Sequence, residues 1–182
     1  MIYKIIKKIL WYIHRQDVLS KINLNDSSFS KSIIIDEGVR ILNPNVTVGR
    51  NVHLYNNVII FGKGPVFIDD GSKIGFNTII YSDKSAGIYI GKNCSIAANA
   101  YIIDTNHSTG KIIGNKMSLD GDISSPVHIG NNVWISAQCV IAKGAKLGDN
   151  VVVGANSFVN KEFAKNSIIG GSPARLIKYR GD

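Results

Sequence analysis

An all-β chain wound as a parallel β-helix of triangular cross-section is predicted by three observations. First, an aliphatic residue returns every six positions at Ile129, Ile135, Ile141, Leu147, Val153 and Val159. Second, a lattice of mostly smaller residues follows four places behind, at Val133, Cys139, Ala145, Val151 and Ser157. Third, glycine follows the first lattice at Gly130, Gly148 and Gly154. A helix repeats near 3.6 residues and a plain strand every two, so neither gives this period. A short strand, a turn and another short strand on a new face does.

The elements follow in chain order. Residues 1–33 read as an amphipathic helix and a linker. Ile2, Ile5, Ile6, Ile9, Leu10 and Ile13 fall at helical spacing, interrupted by Lys4, Lys7 and Lys8. The lysines and the lack of a clear small-residue cleavage site argue against a signal peptide, which points to a cytoplasmic chain. Packing on the flank of the β-helix or on a neighbouring subunit is the plain reading of residues 1–13. Peripheral contact with an anionic membrane surface is the second, because Trp11 and Tyr12 border the stripe. No apolar run is long enough to span a bilayer.

The β-helix is expected over residues 34–169, in about six coils, with an extended loop inserted at 103–126. Val48, Leu54 and Ile60 form one run, Ile68, Ile74 and Ile80 the next, and Ile90, Ile96 and Ile102 a third. The phase slips near 62–67 and 82–89, as widened corners would require. At about 4.8 Å per coil the prism is about 30 Å tall. Each inward isoleucine contributes about 1.5–3 kcal/mol relative to exposure. Paired residues such as Lys92-Asn93, Asn131-Asn132 and Asp149-Asn150 suit the corners, because asparagine tolerates positive φ. Residues 170–182 form a tail.

The formal net charge is +8. No recognition motif and no aromatic-basic platform accompany it, so nucleic acid is not the expected partner. Cys94 and Cys139 occupy small inner slots in different coils, which argues against a disulfide. The histidines at 14, 53, 107 and 128 have no metal-ligand spacing, so no metal is expected.

The inserted loop draws attention because it leaves a rigid scaffold and is rich in Ser, Asn, Gly and Asp. His107 stands at its base. Asp104, three residues earlier, is expected to bond one ring nitrogen and fix the tautomer, leaving the other as a general base. Asn106 and its polar neighbours suit hydroxyl-rich ligands.

The segment IGNNVWISAQCVIAKGAKLGDNVVVGANSFV, followed by GSPARLIK, resembles the hexapeptide-repeat acyltransferases. The branch it resembles most O-acetylates sugars and antibiotics. The resemblance covers nearly all of 34–178. It implies a left-handed β-helix, an exception to the right-handed crossover rule, and a homotrimer with sites between prisms. It implies His107 as catalytic base and Asn77 as part of the acceptor site. It places acetyl-CoA along Trp134, Ser136, Ala137, Ala155, Asn160 and Lys161, with Arg175 and Lys178 near its phosphates. Ser136 departs from the family's usual glycine. The implied activity is acetyl transfer to a saccharide hydroxyl, in surface polysaccharide biosynthesis. An N-acyltransferase on an amino-sugar nucleotide, a serine or antibiotic O-acetyltransferase, and a non-enzymatic binding module are the alternatives.

Overall fold

Aliphatic side chains at six-residue spacing close the chain into three parallel sheets around one core. The computed structural model describes residues 2–24, 27–83, 86–109 and 121–181. The first face carries Asn23–Leu24, Val46–Val48, Val66–Ile68, Ile88–Ile90, Val127–Ile129, Lys146–Leu147 and Glu162–Phe163. The second runs from Ile34–Ile35 to Ser167–Gly170, and the third from Arg40–Ile41 to Phe158–Val159. Within the coils each strand pairs in parallel with the strand one coil away, and successive strands of a coil lie on different faces.

Register puts like residues above like. On the second face Ile35, Leu54, Ile74, Ile96, Ile135, Val153 and Ile169 form one continuous inward ladder. All seven are buried. The smaller lattice is buried as expected, from Val133 through Cys139, Ala145 and Val151 to Ser157. The two thiols touch carbonyls, Cys94 Sγ at 3.0 Å from Gly130 O and Cys139 Sγ at 3.1 Å from Gly154 O. Burial pushes both thiols above their ordinary range.

The corners explain the asparagines. Between the second and third faces Gly38, Asn57, Asn77, Asn99, Gln138 and Asn156 stack with positive φ. Asn57 Nδ2 donates to Asn77 Oδ1 at 3.2 Å. The other asparagine-rich corner, between the first and second faces, stacks Asn51, Gly71, Asn93, Asn132, Asn150 and Asn166 in the same conformation.

The solenoid is longer than 34–169 at both ends. Asn23–Leu24 already pairs with Thr47–Val48, so the first face has seven strands and the stack seven coils, not about six. At the other end Arg175–Tyr179 folds back antiparallel on Ser167–Gly170, making the tail part of the second sheet. The N-terminal helix α1 runs over Ile2–Ser20, further than residues 1–13. It docks on the first coil, with Val18 in the core and Trp11 Nε1 donating to Ile35 O at 3.2 Å. Among the described residues no helix is long and apolar enough to cross a membrane.

Candidate active site

The inserted segment leaves the corner between the third and first faces as a β-hairpin. Thr105–His107 pairs antiparallel with Asp122–Ser124. Residues 110–120, between these two strands, lie outside the described residues, and with them Asn115 and Asp120, which the sequence reading counts with Asn106 as hydroxyl-binding.

Register sets His107 opposite Asp122, and His107 Nδ1 lies 2.8 Å from Asp122 Oδ1. Nδ1–H donates to this carboxylate, which leaves the Nε2 lone pair free to take a proton. The imidazole is largely exposed, at 73% for the side chain. Beside it lies a cleft of about 270 Å³ lined by Tyr81, Tyr101, Ile103, Thr105, Asn106, His107 and Asp122. Phe61 stacks on Tyr81 at 4.4 Å and holds its ring in place. Burial first, then the charges of Asp83, Asp122 and Asp104, raises the Tyr81 phenol above its ordinary range. The phenol is available as a hydrogen-bond donor at the cleft.

Asp104 does not bond His107. In an extended segment residues three apart point to opposite sides, and the carboxylate of Asp104 turns inward. It is fully buried. Its oxygens accept from Ser82 Oγ and from the backbone N–H groups of Asp83 and Gly87, each at 2.7 Å. It fastens Asp83 and Gly87 beneath the hairpin. The contact with His107 expected of Asp104 is made by Asp122. Ser124 Oγ ties the hairpin base together by donating to Asp83 Oδ2 at 2.9 Å, and it lies 3.0 Å from Thr105 Oγ1.

The other expected site residues are divided among the prism edges. Asn77 lies on the corner between the second and third faces, away from the His107 cleft, and its conformation serves the corner stack. Ala137 and Ala155 occupy the same edge higher up, with Ser136 just before it. The Ser136 N–H is spent on Val153 O at 3.0 Å, whereas among the described backbone bonds none is donated by Ala137 N–H. Trp134 projects from the second face, 53% exposed, over a shallow groove with Val152 and Arg180. Arg175 and Lys178 are exposed on the strand folded back along that face. Asn160 and Lys161 sit instead on the His107 edge, with Lys161 Nζ 5.3 Å over the Phe163 ring. One chain therefore does not join His107 to Asn77 or to Trp134.

A larger groove of about 500 Å³ follows the first face beside Phe67, Tyr89 and His128 and contains none of these residues. Its rings stack on one another at 5.3 and 4.8 Å, so Tyr89 has both ring faces covered and offers no stacking platform for a sugar.

Sequence reasoning missed Tyr81 and Tyr101, and it read Asp122 only as one of the arm's hydroxyl-binding polar residues, not as the partner of His107. The available signal was the alternation in Asp122-Ile123-Ser124, which reads as a returning hairpin arm once Thr105–His107 is taken as the outgoing one.

Known proteins match along the same stretches. Residues 126–161 match the bacterial transferase hexapeptide (six repeats) model, and residues 65–103 the hexapeptide repeat of succinyl-transferase. The chain is 35% identical over 145 residues to the galactoside O-acetyltransferase of Escherichia coli K12, covering 75% of this chain and 64% of that protein. It is 33% identical over 124 residues to WbbJ of the same organism, itself assigned only by inference to O-acetyl transfer in lipopolysaccharide biosynthesis. That match covers 65% of this chain and 62% of WbbJ. The chain thus spans less than two thirds of either relative's length. Among solved structures, a variant of AntD, an N-acyltransferase from Bacillus cereus, in complex with dTDP-4-amino-4,6-dideoxyglucose and coenzyme A superposes with a TM-score of 0.73 at 26% identity, covering 92% of this chain and 90% of that one. A maltose O-acetyltransferase from Clostridium difficile 630 gives 0.60 at 27% identity, covering 94% and 77%. The repeat matches, these relatives and the coil-by-coil register agree that this chain carries the hexapeptide repeat and is similar to the hexapeptide-repeat transferases.

Proposed function

We propose that this protein transfers an acetyl group from acetyl-CoA to a hydroxyl of a saccharide, in the biosynthesis of a surface polysaccharide, and works in the cytoplasm. The observation that carries the reading is the His107–Asp122 pair, which leaves Nε2 free beside a cleft lined by tyrosines and small polar groups. Tyrosine rings and neutral or anionic hydrogen-bonding groups suit a sugar. The likeness to galactoside, maltose and lipopolysaccharide O-acetyltransferases supports the same class.

An alcohol ionises far above the pH at which imidazole takes up a proton. His107 Nε2 removes the hydroxyl proton as the oxygen bonds to the thioester carbonyl carbon, so free alkoxide never accumulates. Asp122 holds the ring and stabilises the imidazolium that forms. Ala137 N–H is our candidate donor to the carbonyl oxygen as it gains negative charge. The carbon–sulfur bond then breaks, and His107 returns its proton to the departing sulfur. Both cysteines are buried with raised pKa values, which disfavours a thiolate nucleophile. Direct transfer follows, without an acyl-enzyme.

The division of residues among edges favours a homotrimer. His107, Asn160 and Lys161 would line one side of a cleft, and Asn77, Trp134, Ser136, Ala137 and Ala155 of the next copy the other. Closed threefold symmetry would make three such sites. Asn77 and Asn106 would bind the acceptor.

The second reading is N-acylation of an amino-sugar nucleotide, favoured by the AntD complex. Incubation with acetyl-CoA and a panel of sugars, sugar nucleotides, amino-sugar nucleotides and serine separates the readings. Mass spectrometry should find one added acetyl on a sugar oxygen. Turnover confined to amines or to serine would defeat the proposal.

Arg175 and Lys178 are assigned to the phosphates of acetyl-CoA. Replacing both with glutamine should raise the acetyl-CoA KM about 5- to 30-fold, since each is an exposed charge worth about 0.5–1 kcal/mol. kcat should be largely kept. An unchanged KM at low ionic strength would make them ordinary surface charges.

A further inference from the structure

Helix α1 is mounted with its apolar face turned away from the protein. Trp11 and Arg15 bond the first coil, the Arg15 guanidinium donating to Ser30 O and Ile33 O, and Val18 enters the core. At about 100° per residue these three share one side of the helix. Ile2, Ile6, Ile9 and Ile13 lie on the opposite side and are 73%, 48%, 52% and 58% exposed. Ile5 and Leu10 widen the stripe and are also exposed. A helix that served only to cap the prism would present this stripe inward.

The borders of the stripe are ordered. Tyr3 and Tyr12 flank it, one on each side, and Lys7 and Lys8 lie beyond them toward the docked side of the helix, where they line a pocket with Trp11 and Glu37. Lys7 Nζ lies 5.3 Å over the Tyr3 ring. No acidic residue occurs from Ile2 to Gln16. Apolar centre, tyrosine shoulders and lysine margins match the layers of a bilayer surface, from acyl chains through the interface to phosphate headgroups. The helix is not apolar enough to cross, so it would lie in the plane.

We propose that α1 seats this protein on an anionic lipid surface, with the isoleucine stripe among the acyl chains and Lys7 and Lys8 on lipid phosphates. Charge selects this occupant over a second copy. A second copy's helix would bring more lysines and no acidic residue between Ile2 and Gln16 to pair with them, and the chain as a whole carries +8. Lipid phosphates supply the missing negative charge. Such seating would fix the His107 cleft, three coils along the stack, roughly 14 Å from the first coil.

The test is vesicle co-sedimentation of the full chain, which needs no acceptor and is independent of the catalytic reading. Vesicles of phosphatidylcholine with about one third phosphatidylglycerol should retain the protein at low salt, in line with the two-signal logic of apolar insertion plus basic charge. The variant Ile6→Ser/Ile9→Ser/Ile13→Ser should lose at least tenfold in partitioning. Its Tm and its light-scattering mass should not change, because these side chains contact no core. Equal binding to pure phosphatidylcholine would overturn the proposal, as would unchanged partitioning of the variant. A fall in oligomeric mass for the variant would also overturn it, by showing the stripe to be a seam between copies.

Discussion

Replacing His107 with alanine should lower kcat by about 10²–10⁴-fold, the usual worth of a positioned general base. Acetyl-CoA affinity should be unchanged, because no residue assigned to the cofactor touches the ring. Stability should shift by less than about 0.5 kcal/mol, as for other exposed sites. The side chain is 73% exposed and its ring bonds the partly exposed Asp122. Substitutions at Asp122 sharpen the test. Asp122→Asn would still accept from Nδ1–H through its amide oxygen but lacks the charge that stabilises imidazolium. Asp122→Ala loses both the acceptor and the charge. The expected order of kcat is wild type, Asp122→Asn, Asp122→Ala, His107→Ala. Steady-state kinetics at saturating acceptor decides it. A near-wild-type rate for His107→Ala removes this residue from the mechanism. Equal rates for the two Asp122 variants and wild type leave His107 unassisted.

The repeat was legible because each coil reports its own phase. Every six-residue aliphatic from Ile129 to Val159 is inward, since a shift of one position would turn a whole ladder to solvent. The first coil escaped because Asn23–Leu24 carries too short a pattern to show a period, and it is defined by pairing with Thr47–Val48. Helical periodicity found the stripe on α1 but not its direction, which depends on Trp11, Arg15 and Val18 engaging a coil that follows the helix. The site was half legible. His107 stood out as the histidine at the root of a phase-breaking arm. Its partner was misassigned because Asp104 is near in sequence, whereas Asp122 is 15 residues away and is brought close by hairpin register. Spacing along one strand could have excluded Asp104. Nothing in the spacing across the hairpin tip fixes which acid returns opposite His107.

Asp104 therefore carries the opposite expectation to the one its sequence position suggests: its loss is a stability effect before it is a catalytic one. The carboxylate is fully buried and accepts three bonds of 2.7 Å from Ser82, Asp83 and Gly87. Alanine would strand those donors where water does not easily replace the lost oxygens. Each unsatisfied donor costs about 1–3 kcal/mol, though the Ser82 hydroxyl can rotate toward Pro65 O, already 3.3 Å away. Asp104→Ala should then destabilise by about 3–5 kcal/mol, lowering Tm by roughly 6–20 °C for a chain of this size. Asp104→Asn separates packing from hydrogen bonding. Its oxygen can serve Ser82 and Gly87, but its amide then faces Asp83 N–H, donor against donor. About 1–3 kcal/mol should be lost, intermediate between wild type and alanine. Thermal unfolding followed by circular dichroism reads both variants. Below the transition the asparagine variant should keep most of its kcat, since Asp122 still holds the imidazole. The converse pattern, a large fall in kcat with Tm unmoved, would return Asp104 to the catalytic machinery and make the His107–Asp122 contact incidental.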